Sequence, residues 1–323
     1  MRYFCLLLCW PLSVFGELAE LVAVADTVIL EDSTPAGSLN NFNLGRQLTL
    51  PVGARGGNSL GTGRMLMRFD VAGSVPAGSV ITRARLRLRV TRVPEDPPDS
   101  DFALHRILRP WVEGEGVMRD VQGEIVPEPT GTAGGSLAME GEVTWNSQAH
   151  DQILWSIPGG TFGSDYIAEP SAVQAIGTTT GTRFFEFGGD GIAEVQAMLD
   201  DPGSNFGWML LSQDEETRRA ARRIGSRDSS SPPRLLLEFD LPASFVITSV
   251  GLSEDNTLVT IRFPGSPDFS YELQASTDLS PGGWATVQNL ASPVEAGELS
   301  FIEPVGDETR RFFRVVATAV EES

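Results

Sequence analysis

The chain contains no lysine; its 24 basic residues are all arginines, set against 43 acids for a formal net charge of −19. A field of that sign repels polyanions, which argues against nucleic acid as a partner. Cysteine is nearly absent as well. Cys5 and Cys9 both stand in the first nine residues, so the rest of the chain has no thiol for a disulfide or a thiolate metal site. Stability must come from burial, which 323 residues with 41% hydrophobic content allow. Histidine is almost as scarce. His105 lies among apolar strand residues and His150 in a loop, and two isolated imidazoles make neither a zinc site nor a catalytic triad. After Phe15 no apolar run approaches the roughly 20 residues that a membrane-spanning helix needs.

The first residues have the pattern of an export signal. Arg2 precedes an apolar run, Tyr3 to Phe15, that is too short to span a bilayer, and Ala23-Val24-Ala25 offers small residues for cleavage. This makes residues 1–25 the leader and sets the mature start near Asp26, with cleavage nearer Gly16 as the alternative. Leu8 stands where a lipoprotein signal wants a small residue, so lipidation is not expected. The expected location is outside the cell or in its envelope.

Gly 34 and Pro 21 suit many short strands joined by tight turns. Strands are expected at Thr27–Leu30, Gln47–Val52, Arg64–Asp70, Ile81–Val93, Phe102–Leu108, Arg183–Phe187, Trp208–Ser212 and Arg234–Phe239. One short helix follows Asp190, the expected cap, with Ile192, Val195, Met198 and Leu199 at helical spacing before Asp201-Pro202-Gly203 ends it. Gly114 to Gly141 reads as a long loop or insertion. The expected fold is therefore all-β. A large jelly-roll sandwich would occupy 26–240, and a small immunoglobulin-like sandwich 241–323, after the Leu241-Pro242-Ala243-Ser244 linker.

The first domain resembles the DNRLRE family, a jelly-roll module of secreted bacterial and archaeal proteins related to carbohydrate-binding modules. The resemblance rests on Asn41-Phe42-Asn43-Leu44-Gly45, Arg64 to Asp70, Ala84-Arg85-Leu86-Arg87-Leu88 and Trp111-Val112-Glu113. It continues through Val143-Thr144-Trp145-Asn146, Pro158-Gly159-Gly160, Val195-Gln196, Asn205-Phe206-Gly207-Trp208 and Ser226-Arg227. One departure is that Gly114–Glu142 separates two pieces the family keeps close. The second domain resembles a small C-terminal β module of secreted bacterial proteins, through Tyr271 to Leu279, Trp284 and Arg310 to Val315. What the resemblance implies is a secreted, non-catalytic module for carbohydrate binding or surface adhesion. A structural spacer is the alternative, and a polysaccharide hydrolase or lyase using carboxylates is a further one.

The candidate ligand-binding residues are Arg83, Arg85, Arg87, Arg89 and Trp155. Ala84, Leu86, Leu88 and Val90 share one face of a strand, so the four arginines share the other. They make either cross-strand ion pairs with acids such as Asp70 or Glu238, or a bidentate surface for an acidic glycan. Trp155, beside Pro158-Gly159-Gly160, is placed at a rim, whereas Trp145 and Trp208 read as core. Gly57-Asn58-Ser59-Leu60-Gly61 has the letters of a nucleophile elbow but lies between strands, without the helix that device requires. The run Thr217 to Arg223 follows Asp214, Glu215 and Glu216 and reads as a self-compensated hairpin. Acidic β-sandwiches can hold a structural Ca2+, and loop acids are plentiful, but no spacing singles out its ligands.

Overall fold

The computed structural model describes residues 16–32, 38–55, 61–118, 122, 124, 135–240, 247–267, 269–277, 283–306 and 310–320. The chain divides after Pro242 into two compact units. Among the described residues it is all-β apart from one helix and two short 3-10 turns.

The first unit begins with β1 (Glu17–Val22), β2 (Ala25–Leu30), β3 (Phe42–Asn43), β4 (Thr49–Ala54), β5 (Thr62–Arg68), β6 (Val80–Arg92) and β7 (Ser100–Arg106). It continues with β8 (Ser136–Leu137), β9 (Ser147–Ala149), β10 (Ile153–Leu154), β11 (Ala172–Ile176), β12 (Gly181–Glu186), α1 (Gly189–Asp200), β13 (Trp208–Ser212), β14 (Arg222–Gly225) and β15 (Arg234–Asp240). Two antiparallel layers result. In sheet one, β6 lies between β12 on one edge and β15 and β14, end to end, on the other; β1 then extends β15 and β4 extends β14. Sheet two runs β2-β5-β13-β7-β11. Strand β4 belongs to both, pairing β14 through Thr49–Val52 and β5 through Gly53 and Ala54. Gly53 turns this corner at φ 99°, a conformation that favours glycine.

Alternation on β6 builds the core. Ile81, Ala84, Leu86, Leu88 and Val90 point inward to meet Met65, Met67, Phe102, Leu104, Trp208 and Leu210 of sheet two. Helix α1 adds Val195, Met198 and Leu199. Its N-cap is Gly188, without a side-chain cap; Asp190, the expected cap, stands inside the first turn, where its charge still complements the helix dipole.

The central strands of sheet two are buried on both faces. Ile29, Leu66 and Met209 point outward from the sheet and are covered by a layer of coil that brings Ile107, Trp111, Val143, Trp145, Trp155 and Tyr166 together. Arg64 and Arg68 tie this layer down, stacking over Trp145 at 5.2 Å and Trp111 at 5.8 Å. Trp145 and Trp208 are buried, as the sequence led one to expect.

The second unit has β16 (Ser249–Leu252), β17 (Leu258–Gly265), β18 (Phe269–Ser276), β19 (Ala285–Leu290), β20 (Gly297–Pro304) and β21 (Phe312–Ala319). They form two three-stranded antiparallel sheets, β16-β17-β20 and β19-β18-β21, around Ile261, Phe263, Tyr271, Leu273 and Phe301. The Tyr271 hydroxyl is held at Ser266, accepting from its backbone N–H at 2.6 Å and donating to its carbonyl at 3.2 Å.

Candidate functional site

The arginines of β6 leave the outer face of sheet one in a row, and cross-strand acids meet the first of them. Arg83 pairs with Glu186 on β12 (3.1 Å) and with Glu238 on β15 (3.3 Å). Arg85 reaches Glu186 at 3.8 Å and lies 5.0 Å over the ring of Phe184. In register, Glu238 stands opposite Arg83 and Glu186 opposite Arg85, which is the geometry of an ion-pair ladder. Asp70 is not part of it; its carboxylate accepts the backbone N–H of Gly73 instead.

Further along the strand the balance changes. Arg87 and Arg234 share one carboxylate oxygen, Oε1 of Glu20 on β1, at 3.0 and 2.9 Å. Arg89 is exposed and has no carboxylate partner among the described residues. Arg87, Arg89, Arg234, Thr182, Ser230 and Ser231 line a groove of about 300 Å³. Three guanidiniums and one carboxylate leave it positive, and the hydroxyls supply donors beside them. Arg234 was legible, since Arg234 and Glu238 share a face of an alternating strand. Glu20 was not, because it falls within the residues assigned to the leader.

Trp155 stands elsewhere and is not a rim residue. It packs within the coil layer at 4% exposure, with Nε1 donating to the Thr144 carbonyl at 2.9 Å. It still forms part of the lining of a second groove, of about 600 Å³, beside the β9–β10 hairpin. The five candidates therefore fall into two places, with the arginines on sheet one and Trp155 on the layer over sheet two.

A hydrogen-bonded hub collects several of the family-like pieces. Arg227 grips Glu113 with two bonds, Nε to Oε1 at 2.5 Å and Nη2 to Oε2 at 2.7 Å, and its backbone N–H donates to Oδ2 of Asp26 at 2.7 Å. The backbone N–H of Asp26 donates to Glu113 at 2.7 Å. Asp26 is fully buried, and its Oδ1 meets no donor among the described residues. Burial pushes the Asp26 carboxyl well above the usual range; the N–H of Arg227 opposes this, and the charges of Glu113 and Asp228 add to it. The folded protein therefore holds this proton to higher pH than the unfolded chain does. Asp26 supports folding most below the ordinary carboxylate pKa, and that support is lost as pH rises through the raised value. Asp26→Asn keeps the acceptor for Arg227 and removes the buried charge. The variant is expected to melt higher than the parent at pH 8, with the difference shrinking toward pH 4, in thermal melts across that range. A variant that melts lower at pH 8 would show that the native group is a well-paired carboxylate.

A third recess of about 360 Å³ lies beside α1, among Arg106, Glu169, Asp190 and Glu194. Burial raises the Glu194 carboxyl, which accepts from the Ser171 hydroxyl and, at 3.4 Å, from the indole of Trp208. These bonds tie α1 to sheet two. His105 is likewise structural, with Nδ1 2.9 Å from the Ile167 carbonyl and its ring edge-on to Tyr166, and burial lowers its pKa. Residues 57–60 of the glycine-rich serine motif lie outside the described residues. Among the described residues no group of three or more His, Cys, Asp or Glu side chains is arranged to hold a metal ion, so the Ca2+ expectation gains no ligand set. No described helix is long and apolar enough to cross a membrane.

Neither a protein-family model nor a curated protein matches this chain.

Proposed function

We propose that this chain is an exported, non-catalytic glycan-binding or adhesive protein, whose first unit takes an acidic polysaccharide in the arginine groove. The observation that carries this reading is Arg89, an exposed guanidinium without a carboxylate partner among the described residues, beside Arg87 and Arg234, which divide one carboxylate between them. A planar guanidinium grips a carboxylate or sulfate through two parallel hydrogen bonds. The DNRLRE-type resemblance points the same way. The protein's overall negative charge opposes the approach of a polyanion, but at 0.1 M salt charges more than about 10 Å away are largely screened, so the local arginines dominate at contact.

The fold also bears on export. Glu17–Val22 pairs with β15 along its whole length, Leu21 and Ala23 sit in the core, and Glu20 holds Arg87 and Arg234. Cleavage after Ala25 would remove that strand, whereas cleavage after Gly16 keeps it; the second is the proposed site. One preparation tests both parts. Protein recovered from outside the cell is expected to begin at Glu17 and to bind polygalacturonate without releasing reducing ends. Arg89→Gln, and more so Arg87→Gln with Arg89→Gln, is expected to weaken binding by about tenfold or more, since each charge-assisted pair contributes roughly 1.5–3 kcal/mol. The melting temperature of Arg89→Gln should stay near that of the parent. No binding to any acidic polymer would favour the spacer reading, and released reducing ends would favour a hydrolase or lyase.

A further inference from the structure

We propose that the groove beside Trp155 is a second binding site, specific for a neutral saccharide. Its volume of about 600 Å³ lies in the 300–1,000 Å³ range of small-ligand sites. Its lining divides by chemistry. One part is apolar: Ile153 and Leu154 of β10, the latter 73% exposed, with Trp155 and Pro158 beside them. The one polar atom of the Trp155 indole is spent on Thr144, so what this residue offers the groove is hydrocarbon. The other part is a pair of amides. Asn146 Nδ2 donates to Asn41 Oδ1 at 2.9 Å, which leaves Asn146 Oδ1 as an acceptor and Asn41 Nδ2 as a donor without partners among the described residues.

A pyranose ring presents the same division. Its C–H face is apolar, and its edge carries neighbouring hydroxyls that each donate and accept. An unspent donor and acceptor on one bonded amide pair suit two such hydroxyls, while the ring's C–H face covers the hydrocarbon. The charge pattern selects against an acidic sugar. No arginine lines this groove, and the carboxylate in its wall is that of Asp151, 3.6 Å from the His150 imidazole. The two grooves thus differ in sign, and this proposal does not depend on the arginine groove.

The test is calorimetric titration of the full chain with cellohexaose, xylohexaose and mannohexaose, together with NMR of the Trp155 indole N–H. At least one of the three neutral oligosaccharides is expected to bind and to shift that resonance. Gln152→Ala combined with Leu154→Ala replaces two exposed lining residues, so the fold is expected to persist, as checked by thermal melting. Affinity should fall about tenfold or more, the size of loss expected when the few side chains that dominate a contact are truncated. Arg87→Gln with Arg89→Gln should leave it unchanged. Failure of all three sugars to bind at millimolar concentration would overturn the proposal, as would unaltered binding in the double variant. So would sedimentation showing that the parent self-associates and Leu154→Ala does not, since the groove would then be an interface between copies of this chain.

Discussion

An Arg222→Ala variant is expected to lose about 3–5 kcal/mol of folding stability, because it strands buried backbone acceptors and opens a cavity. Arg222 is fully buried on β14, two residues before the inward Ile224. Its guanidinium donates to four carbonyls at normal length: Pro98 at 2.6 Å, Ala220 at 2.8 Å, Ile176 at 2.9 Å and Gly177 at 3.1 Å. It lies 5.9 Å from the ring of Phe102 and has no carboxylate in ion-pair contact among the described residues. Burial lowers its pKa from the ordinary arginine value, with the charge of Asp99 opposing. An arginine stays charged at neutral pH even so. The residue thus acts as a five-donor plug that closes one end of the sandwich by satisfying carbonyls of three separate segments. Arg222→Met separates packing from hydrogen bonding, since it fills much of the space and donates nothing. It should unfold nearly as easily as the alanine variant in thermal or urea unfolding. Melting within a degree or two of the parent would mean that water satisfies those carbonyls and that the plug is dispensable.

Little in the local sequence marks Arg222 out. It sits in a dense basic run after three acids, and the simplest pairing is local. The structure instead sends Glu215 to Arg64, which it grips at 2.6 and 2.8 Å, while Arg222 turns inward. The same contrast holds across the fold. Strand β6 was legible because one of its faces meets solvent, so charged and apolar residues alternate from Arg83 to Val90. Met65-Leu66-Met67 and Trp208-Met209-Leu210 are continuous apolar runs, the mark of strands buried on both sides, yet such a run does not say what covers its second face. Here the cover is irregular coil carrying Trp111, Trp145 and Trp155, which has no period to read. Trp155 was therefore placed at a rim when its indole is part of that cover. Strand β1 was hidden for another reason, as its residues fell inside the expected leader. The arginine row was visible as a row, but which arginine lacks an acid depends on β12, β15 and β1, and cross-strand register is not written in any one strand.

Asn43→Ala is expected to cost a similar amount, about 3–5 kcal/mol, through the loss of several buried hydrogen bonds at once. Asn43 is fully buried, and both ends of its amide are fully used. Nδ2 donates to the carbonyls of Glu113 (2.7 Å) and Val143 (3.0 Å), and Oδ1 accepts the N–H groups of Gly45 (2.8 Å) and Gly116 (3.1 Å). One side chain thus joins its own loop to Glu113 and Val143, which stand on the two sides of the long Gly114–Glu142 separation. That explains why the separation does not disperse them. It also gives the glycines of this stretch a purpose, because the backbone packs directly on Asn43. A Cβ added at Gly116 would stand 2.0 Å from the Asn43 carbonyl oxygen, so Gly116→Ala should destabilise the first unit as well. Asn43→Asp is the sharper variant. It keeps the acceptor and the shape but turns the two donors into a carboxylate oxygen facing two carbonyls. It should be at least as harmful as alanine at pH 7 and recover partly toward pH 4, where the acid regains a proton to donate. Calorimetry of the three variants reads this directly. If Asn43→Ala melts close to the parent, the hub is held by Arg227, Glu113 and the surrounding apolar layer alone, and the convergence of these motifs on one amide has no energetic weight.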